Sequence, residues 1–272
     1  MTDDFSLFTS MRYDPNLENL QSRRRNGKGW NFDNHSPLYM LDFHRDRLLR
    51  AATHWKWQPA IDRLSGANGL QSLTQSISDA VGPSQQTPLR LRIVVSHRGE
   101  IKVEKFNTPE VPLQNLLPTG LPSPSSASQD DEPQKATNFT LLVDQASTAR
   151  SEYTHFKTTK RAMYDAARQR AGIGLADPAE VLIVNQYDGS VMEGTITTPY
   201  FWRDSHWVTP PVAAHFSWDE GNGGQDGTSR RWALESEIVS EQTVNANSLV
   251  HGEECWISNG VRGFISATIN LH

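Results

Sequence analysis

The chain has 272 residues, 36% of them hydrophobic and 9% aromatic, enough for one large or two modest domains with real cores. Its formal net charge is -5, and apart from Arg23-Arg24-Arg25 its basic residues are scattered, which excludes a broad electrostatic footprint for nucleic acid. Its single cysteine, Cys255, excludes an internal disulfide framework and any multi-cysteine metal site; no metal is expected. The acidic start Met1-Thr2-Asp3-Asp4 lacks an apolar signal core, and no run approaches the roughly 18 apolar residues of a membrane span. The expectation is a soluble, cytoplasmic protein without a membrane partner.

In chain order, residues 5–13 read as a short strand, and residues 39–55 as a helix with Phe43, Leu48, Leu49 and Ala52 near helical spacing. Residues 89–95 alternate as a half-buried strand, and Gly99 turns the chain into a second strand beginning at Ile101. The Pro/Ser/acidic stretch 116–137 cannot form a periodic core-facing element, so it reads as a linker. It would join a small α+β domain, 1–115, to a larger β-rich domain, 138–272. In the second half, residues 139–143 predict a strand, and residues 159–171 a helix stopped by Gly172 and Gly174. Strands follow over 180–185, over 190–201 after the Asp188-Gly189 turn, and over 206–209 before Pro210-Pro211. Residues 219–227 carry four glycines and read as a mobile loop leading into a helix from Ser229 to about Val239. Near the end, Glu253, Glu254, Trp256 and Ile257 place Cys255 on a strand entering the core, with no basic neighbour to activate its thiol.

Taken singly, the residues with chemical potential have ordinary readings. Lys157 reads as a surface lysine, Glu193 as an exposed strand carboxylate and Arg47 as a solvated helix residue; Thr228-Ser229 reads as a helix N-cap. Together, in order, they say more. Residues 41–48, Leu-Asp-Phe-His-Arg-Asp-Arg-Leu, contain a His-x-x-Arg-Leu pattern. Residues 153–168 place Lys157 four residues before Arg161. Asp188-Gly189 precedes Glu193-Gly194-Thr195, Thr209-Pro210 precedes Gly227-Thr228-Ser229-Arg230, and Ser258-Asn259-Gly260 lies near the C-terminus.

This series resembles the class IV aminotransferase and aminodeoxychorismate lyase superfamily, which uses pyridoxal 5'-phosphate. The resemblance implies an α+β, two-domain fold of type IV, like that of D-amino-acid aminotransferase, with the cofactor at the domain interface. It makes Lys157 the Schiff-base lysine and Glu193 the partner of the pyridine nitrogen. Arg47, Thr228 and Ser229 become phosphate ligands, with Asn259 and Gly260 as further contacts, because a helix N-terminus and a guanidinium fork both suit a phosphate dianion. Thr198 stands where the family commonly has asparagine, and the connection 211–227 is longer and richer in glycine than usual.

Phe8-Thr9-Ser10-Met11-Arg12 resembles the Phe-Thr-Thr-x-Arg strand of the lyases, where many transaminases carry Phe-Glu-x-x-Arg, and Val95-Ser96-His97-Arg98-Gly99 resembles their Ser-Arg-Gly strand end. The whole pattern is most similar to the fungal lyases of folate biosynthesis. It implies conversion of 4-amino-4-deoxychorismate to 4-aminobenzoate and pyruvate, with Lys157 as general base and Arg12 and Arg98 as candidates for the substrate carboxylates; either arginine could equally be paired within its own sheet. Two alternatives stay open: transamination of a D-amino acid or an R-amine, and a catalytically silent cofactor-binding homologue. The resemblance also implies a small-molecule amino substrate and a homodimer. His44, His97 and His155 read as structural.

Overall fold

The computed structural model describes residues 5–20, 29–135, 139–219 and 221–271. The acidic N-terminal residues 1–4, the Arg23-Arg24-Arg25 triplet and residues 136–137 of the expected linker lie outside the described residues. The chain divides into two compact units, one of Met1–Glu110 with Phe156–Lys160, the other of Val111–His155 with Arg161–His272.

The first unit is built on an antiparallel sheet of β1 (Leu7–Tyr13), β2 (Leu89–Val95) and β3 (Ile101–Asn107), in that order. Strand β2 alternates as its sequence predicts, burying Leu89, Leu91, Ile93 and Val95. Among the described residues, the α-helices α1 (Trp30–Asn34), α2 (Leu41–His54), α3 (Gln58–Leu64) and α4 (Gly66–Val81) accompany the sheet. Helix α2 buries Leu41, Phe43, His44, Leu48, Ala51 and Ala52, and Leu49 is only half-buried. The sequence gives little notice of α3 and α4. Helix α4 buries a stripe one residue wide, Gly69, Leu73, Ile77 and Val81, spaced every fourth residue among serines and glutamines, too narrow to stand out as an amphipathic face.

Residues 156–160 rejoin this unit far along the chain. The Phe8 N–H donates to the Lys157 carbonyl at 3.1 Å and the Thr159 N–H to the Ser6 carbonyl at 2.9 Å, while the Ser6 N–H donates to Thr159 Oγ1 at 3.0 Å. Lys157 therefore lies on an extended stretch paired with the start of β1. That pairing delays the helix expected from residue 159. It begins instead at Ala162, once the backbone has left β1.

The second unit contains α5 (Leu113–Leu116), β4 (Thr140–Thr148), α6 (Glu152–His155), α7 (Ala162–Arg170), β5 (Ala179–Asn185), β6 (Val191–Gly194), β7 (Thr198–Arg203), β8 (His206–Thr209), α8 (Thr228–Glu235), β9 (Ser240–Glu241), β10 (Glu254–Asn259) and β11 (Gly263–Asn270). Its eight strands form one mixed sheet in the order β6-β5-β4-β11-β10-β7-β8-β9. Strand β5 is a run of Val181, Leu182 and Ile183, all buried, because both its faces are covered. Leu182 joins Leu141, Phe201, Val208 and Ile257 in one cluster; Val181 and Ile183 join Tyr164 and Ala167 of α7 and Met192 of β6 in another.

The single strand expected over 190–201 is broken into β6 and β7. Between them the Gly194 N–H bonds the Thr197 carbonyl at 2.8 Å, and the turn wraps the buried carboxylate of Glu180. That carboxylate accepts from the hydroxyl of Thr195, the Ile196 N–H at 3.1 Å, the Thr197 hydroxyl at 2.9 Å and Arg168 Nη1 at 3.0 Å. A side chain at Gly194 would run into Thr197 Oγ1 and into Glu180 itself. Three further expectations are revised. The helix expected to end near Val239 stops at Glu235, and the chain reverses at Glu237 with φ 56°. The glycine-rich stretch read as mobile packs inward instead, with Asn222, Gly223, Gly224 and Gln225 buried. The proline-rich stretch from 116 belongs to this unit, burying Leu116, Leu117 and Leu121, with Trp207 Nε1 donating to the Leu121 carbonyl at 3.0 Å and Lys135 paired with Glu254 at 2.7 Å.

Arg168 and Glu180 are 6% and 1% exposed, so removing one partner leaves a buried charge uncompensated. Glu180→Ala is expected to cost about 3–5 kcal/mol, read as a lower denaturant midpoint at unchanged slope. A loss below 1 kcal/mol would show that the carboxylate does not organise the 195–197 turn.

Candidate active site

In the first unit, the chemistry collects where β1, α2 and the returning segment meet. Lys157 is half-buried, and its ammonium sits 5.1 Å from the centroid of the Phe8 ring. One residue along β1, the fully buried Thr9 points its hydroxyl at His44 Nδ1, 2.6 Å away on α2. One turn later, Arg47 donates through Nη2 to the same Thr9 hydroxyl. Burial holds His44 well below the usual imidazole pKa, and the positive charges of Arg47 and Lys157 push it the same way. The imidazole is therefore neutral, and its Nδ1 shares one hydrogen bond with the Thr9 hydroxyl. Thr9 in turn presents its oxygen to Arg47.

In the second unit, Glu193 is 7% exposed and accepts on Oε1 from the hydroxyl of Tyr164. Tyr164 comes from α7 and accepts from Gln225 Nε2 at 3.1 Å. Burial first, and the Glu193 charge second, push the tyrosine pKa well up, so it stays protonated and donates. Elsewhere in the unit, Gly227-Thr228-Ser229 opens α8, and all but the half-buried glycine are buried. Helix starts present backbone N–H groups that no residue within the helix can bond. Ser229 Oγ lies 2.8 Å from Ser258 Oγ, which lies 2.7 Å from the Tyr200 hydroxyl, so β7, β10 and α8 are tied by one chain of hydroxyls.

The other sequence candidates fall outside these groups. Arg12 is fully buried and its Nε is paired with Asp14 at 2.8 Å, while Nη2 donates to the Pro109 carbonyl at 3.0 Å. A substrate carboxylate would have to displace Asp14, so the guanidinium is structural. Arg98 is exposed on the turn between β2 and β3. Asn259 uses Oδ1 to accept from the Val261 and Arg262 N–H groups at 3.0 and 2.9 Å, and Nδ2 to reach the Ile196 carbonyl at 3.4 Å. It braces its own turn, which includes the buried Gly260. Arg230 is held by Asp226 and Glu241. Cys255 is buried and its thiol is pushed well above the ordinary range, so it is no nucleophile.

The residue chemistry fits pyridoxal phosphate. A primary amine stands beside a guanidinium in one unit, and a buried, donor-held carboxylate and a helix start with buried hydroxyls occur in the other. Sequence reasoning missed Thr9 and His44 as partners of Arg47, and Tyr164 and Gln225 as partners of Glu193. The only cue was that Thr9 and Tyr164 lie within motifs already singled out.

The neutral His44 makes stability depend on pH. Its folded pKa lies below the unfolded value of about 6.5, so as pH falls below 6.5 the unfolded chain takes the proton first. Stability is complete above that value and declines through the window beneath it, by at most about 1.4 kcal/mol per pH unit. His44→Asn keeps a hydrogen-bonding side chain for Thr9 and removes the titration. Denaturant unfolding between pH 7 and 5 should show a shallower decline in this variant; equal slopes would mean that His44 is not held neutral.

Residues 29–269 match the amino-transferase class IV family. The chain is 28% identical over 201 residues to the aminodeoxychorismate lyase of Saccharomyces cerevisiae, a match that takes in 66% of this chain but only 51% of that protein. It is 25% identical over 232 residues to a Schizosaccharomyces pombe protein provisionally named for the same activity, covering 83% of this chain and 81% of the relative. Among solved structures, one from Mesorhizobium loti, provisionally named an amino-acid aminotransferase, superposes with a TM-score of 0.65 at 20% identity, covering 98% of this chain and all of the other. That identity speaks for the fold alone, and the fold is the two-domain architecture the motifs predict. The chain belongs to the class IV aminotransferase family, whose members use pyridoxal 5'-phosphate.

Proposed function

We propose that the protein is an aminodeoxychorismate lyase that converts 4-amino-4-deoxychorismate to 4-aminobenzoate and pyruvate, acting in the cytoplasm as a homodimer. The observation that carries this reading is the cluster around Lys157. Thr9, standing where many transaminases have glutamate, joins His44 and Arg47 beside the lysine. The names of the two yeast relatives support the same choice.

In this reading Lys157 binds the cofactor covalently. Arg47, with Thr228, Ser229 and the first-turn amides of α8, holds the 5'-phosphate, and Asn259 and Gly260 contribute contacts from the turn after β10. Glu193 accepts from the protonated ring nitrogen. Bound pyridoxal phosphate supplies an electron sink for the pair left behind when a carbon–hydrogen bond beside the amine is broken. The amine of Lys157 would be the general base that takes the proton from the substrate's ring C4. The enolpyruvyl group departs, takes up a proton and leaves as pyruvate, so atoms balance without water and aromatisation drives the step. Arg98 is the arginine left available to attract a substrate carboxylate, since Arg12 is committed to Asp14.

Purified protein loaded with the cofactor should show the visible band of a lysine-linked pyridoxal phosphate, and Lys157→Ala should lose both the band and the activity. In a paired assay, aminodeoxychorismate should yield 4-aminobenzoate and pyruvate, while an amine supplied with pyruvate should yield no alanine. Alanine without 4-aminobenzoate would overturn the lyase reading in favour of transamination.

A further inference from the structure

The glycine-rich stretch before α8 is folded back onto β6. Asn222 Nδ2 donates to the Val191 carbonyl at 3.3 Å, its Oδ1 accepts from the Gly224 N–H at 3.2 Å, and Asn185 Nδ2 donates to the Asn222 carbonyl at 3.2 Å. Gly223, at φ +80°, packs so tightly that an added Cβ would strike Arg150 and come within 3.1 Å of Met192 Cε. The segment thereby grips β6, which carries Glu193, and its neighbour β5. At the end of this grip stands Gln225, 8% exposed, with its amide directed at Tyr164.

Tyr164 has one hydroxyl proton and two acceptors in reach, the Glu193 carboxylate and the Thr154 carbonyl at 3.3 Å. The shorter, charge-assisted bond takes the proton. Gln225 donates to the oxygen of that hydroxyl, which polarises it and makes it a stronger donor. The polar side chains on the tyrosine include Glu193, Gln225 and, across the ring face at 5.3 Å, the Arg161 guanidinium.

We propose that Gln225 and Tyr164 are positioning residues which hold Glu193 ionised and fixed in direction, and so set how far the cofactor's pyridine nitrogen keeps its proton. The inference rests on the reading that Glu193 serves that nitrogen. A buried carboxylate that loses a hydrogen-bond donor becomes more basic, so without the tyrosine hydroxyl the shared proton moves from the ring nitrogen toward Glu193. The loop thus reaches Glu193 by a relay of two side chains.

The test is 15N magnetic resonance of the full-length holoprotein carrying pyridoxal phosphate labelled at the ring nitrogen, with thermal unfolding as a folding control. Glu193→Gln should move the signal to the unprotonated position. Tyr164→Phe should move it part of the way, and Gln225→Ala less far in the same direction. Activity of Tyr164→Phe should fall roughly tenfold in kcat with little change in KM, the size of one lost hydrogen bond to a charged group. A wild-type signal in Tyr164→Phe, alongside a shifted one in Glu193→Gln, would overturn this inference and spare the role of Glu193. An unchanged signal in Glu193→Gln would overturn both. Should Tyr164→Phe fail to fold, Gln225→Ala carries the same decision alone: a shift supports the relay and a wild-type signal refutes it.

Discussion

A carboxylate withdrawn from water must be surrounded by donors, and the second unit is arranged around meeting that demand at Glu180. Its two oxygens take up Arg168, the hydroxyls of Thr195 and Thr197 and the Ile196 N–H. Four donors from a helix and a turn fix where that turn runs. Because the turn is fixed, β6 ends at Gly194, directly after Glu193, and β7 begins at Thr198, whose hydroxyl oxygen would lie 2.8 Å from a side chain at Gly227. One buried acid, absent from any catalytic motif, thereby locates both a candidate catalytic carboxylate and the glycine that opens α8.

The first unit resolves a different problem, the crowding of positive charge. Lys157 and Arg47 both raise the potential at His44. An imidazole kept neutral by burial bonds Thr9 without adding a third cation beside them. Thr9 then serves as a small two-sided connector, bonded to the histidine and to the arginine. A glutamate at this place would neutralise the arginine instead, which gives a physical sense to the difference between the two strand motifs.

What the sequence discloses follows the range of the interaction. Strand β2 and helix α2 were legible because their apolar residues recur within one short window. So was the order of lysine, glutamate and arginine motifs, each a contiguous run. Helix α4 escaped because its stripe is only one residue wide. The break at residues 195–197 escaped because its cause, Glu180, belongs to the neighbouring strand β5 and its bond to Thr195 spans 15 residues. The partners of the candidate residues were hidden for the same reason: Thr9 finds His44 across 35 residues, Tyr164 finds Glu193 across 29 and Gln225 across 61. No periodicity encodes such pairs. Arg12 was open to either a ligand or a structural role, and its partner Asp14, two residues on, is near enough in sequence to favour the structural one.

The return of residues 156–160 to the first unit bears on how the protein comes to be assembled. The bond between Ser6 and Thr159 closes a loop of 153 residues, and closing so long a loop is delayed by chain entropy until local structure has formed. The lysine thus takes its place beside Phe8 late in folding, after the first sheet can stand ready to receive it. During synthesis the first 110 residues emerge well before the segment that carries Lys157, so the contacts among Phe8, Thr9, His44 and Arg47 can form before the lysine joins them.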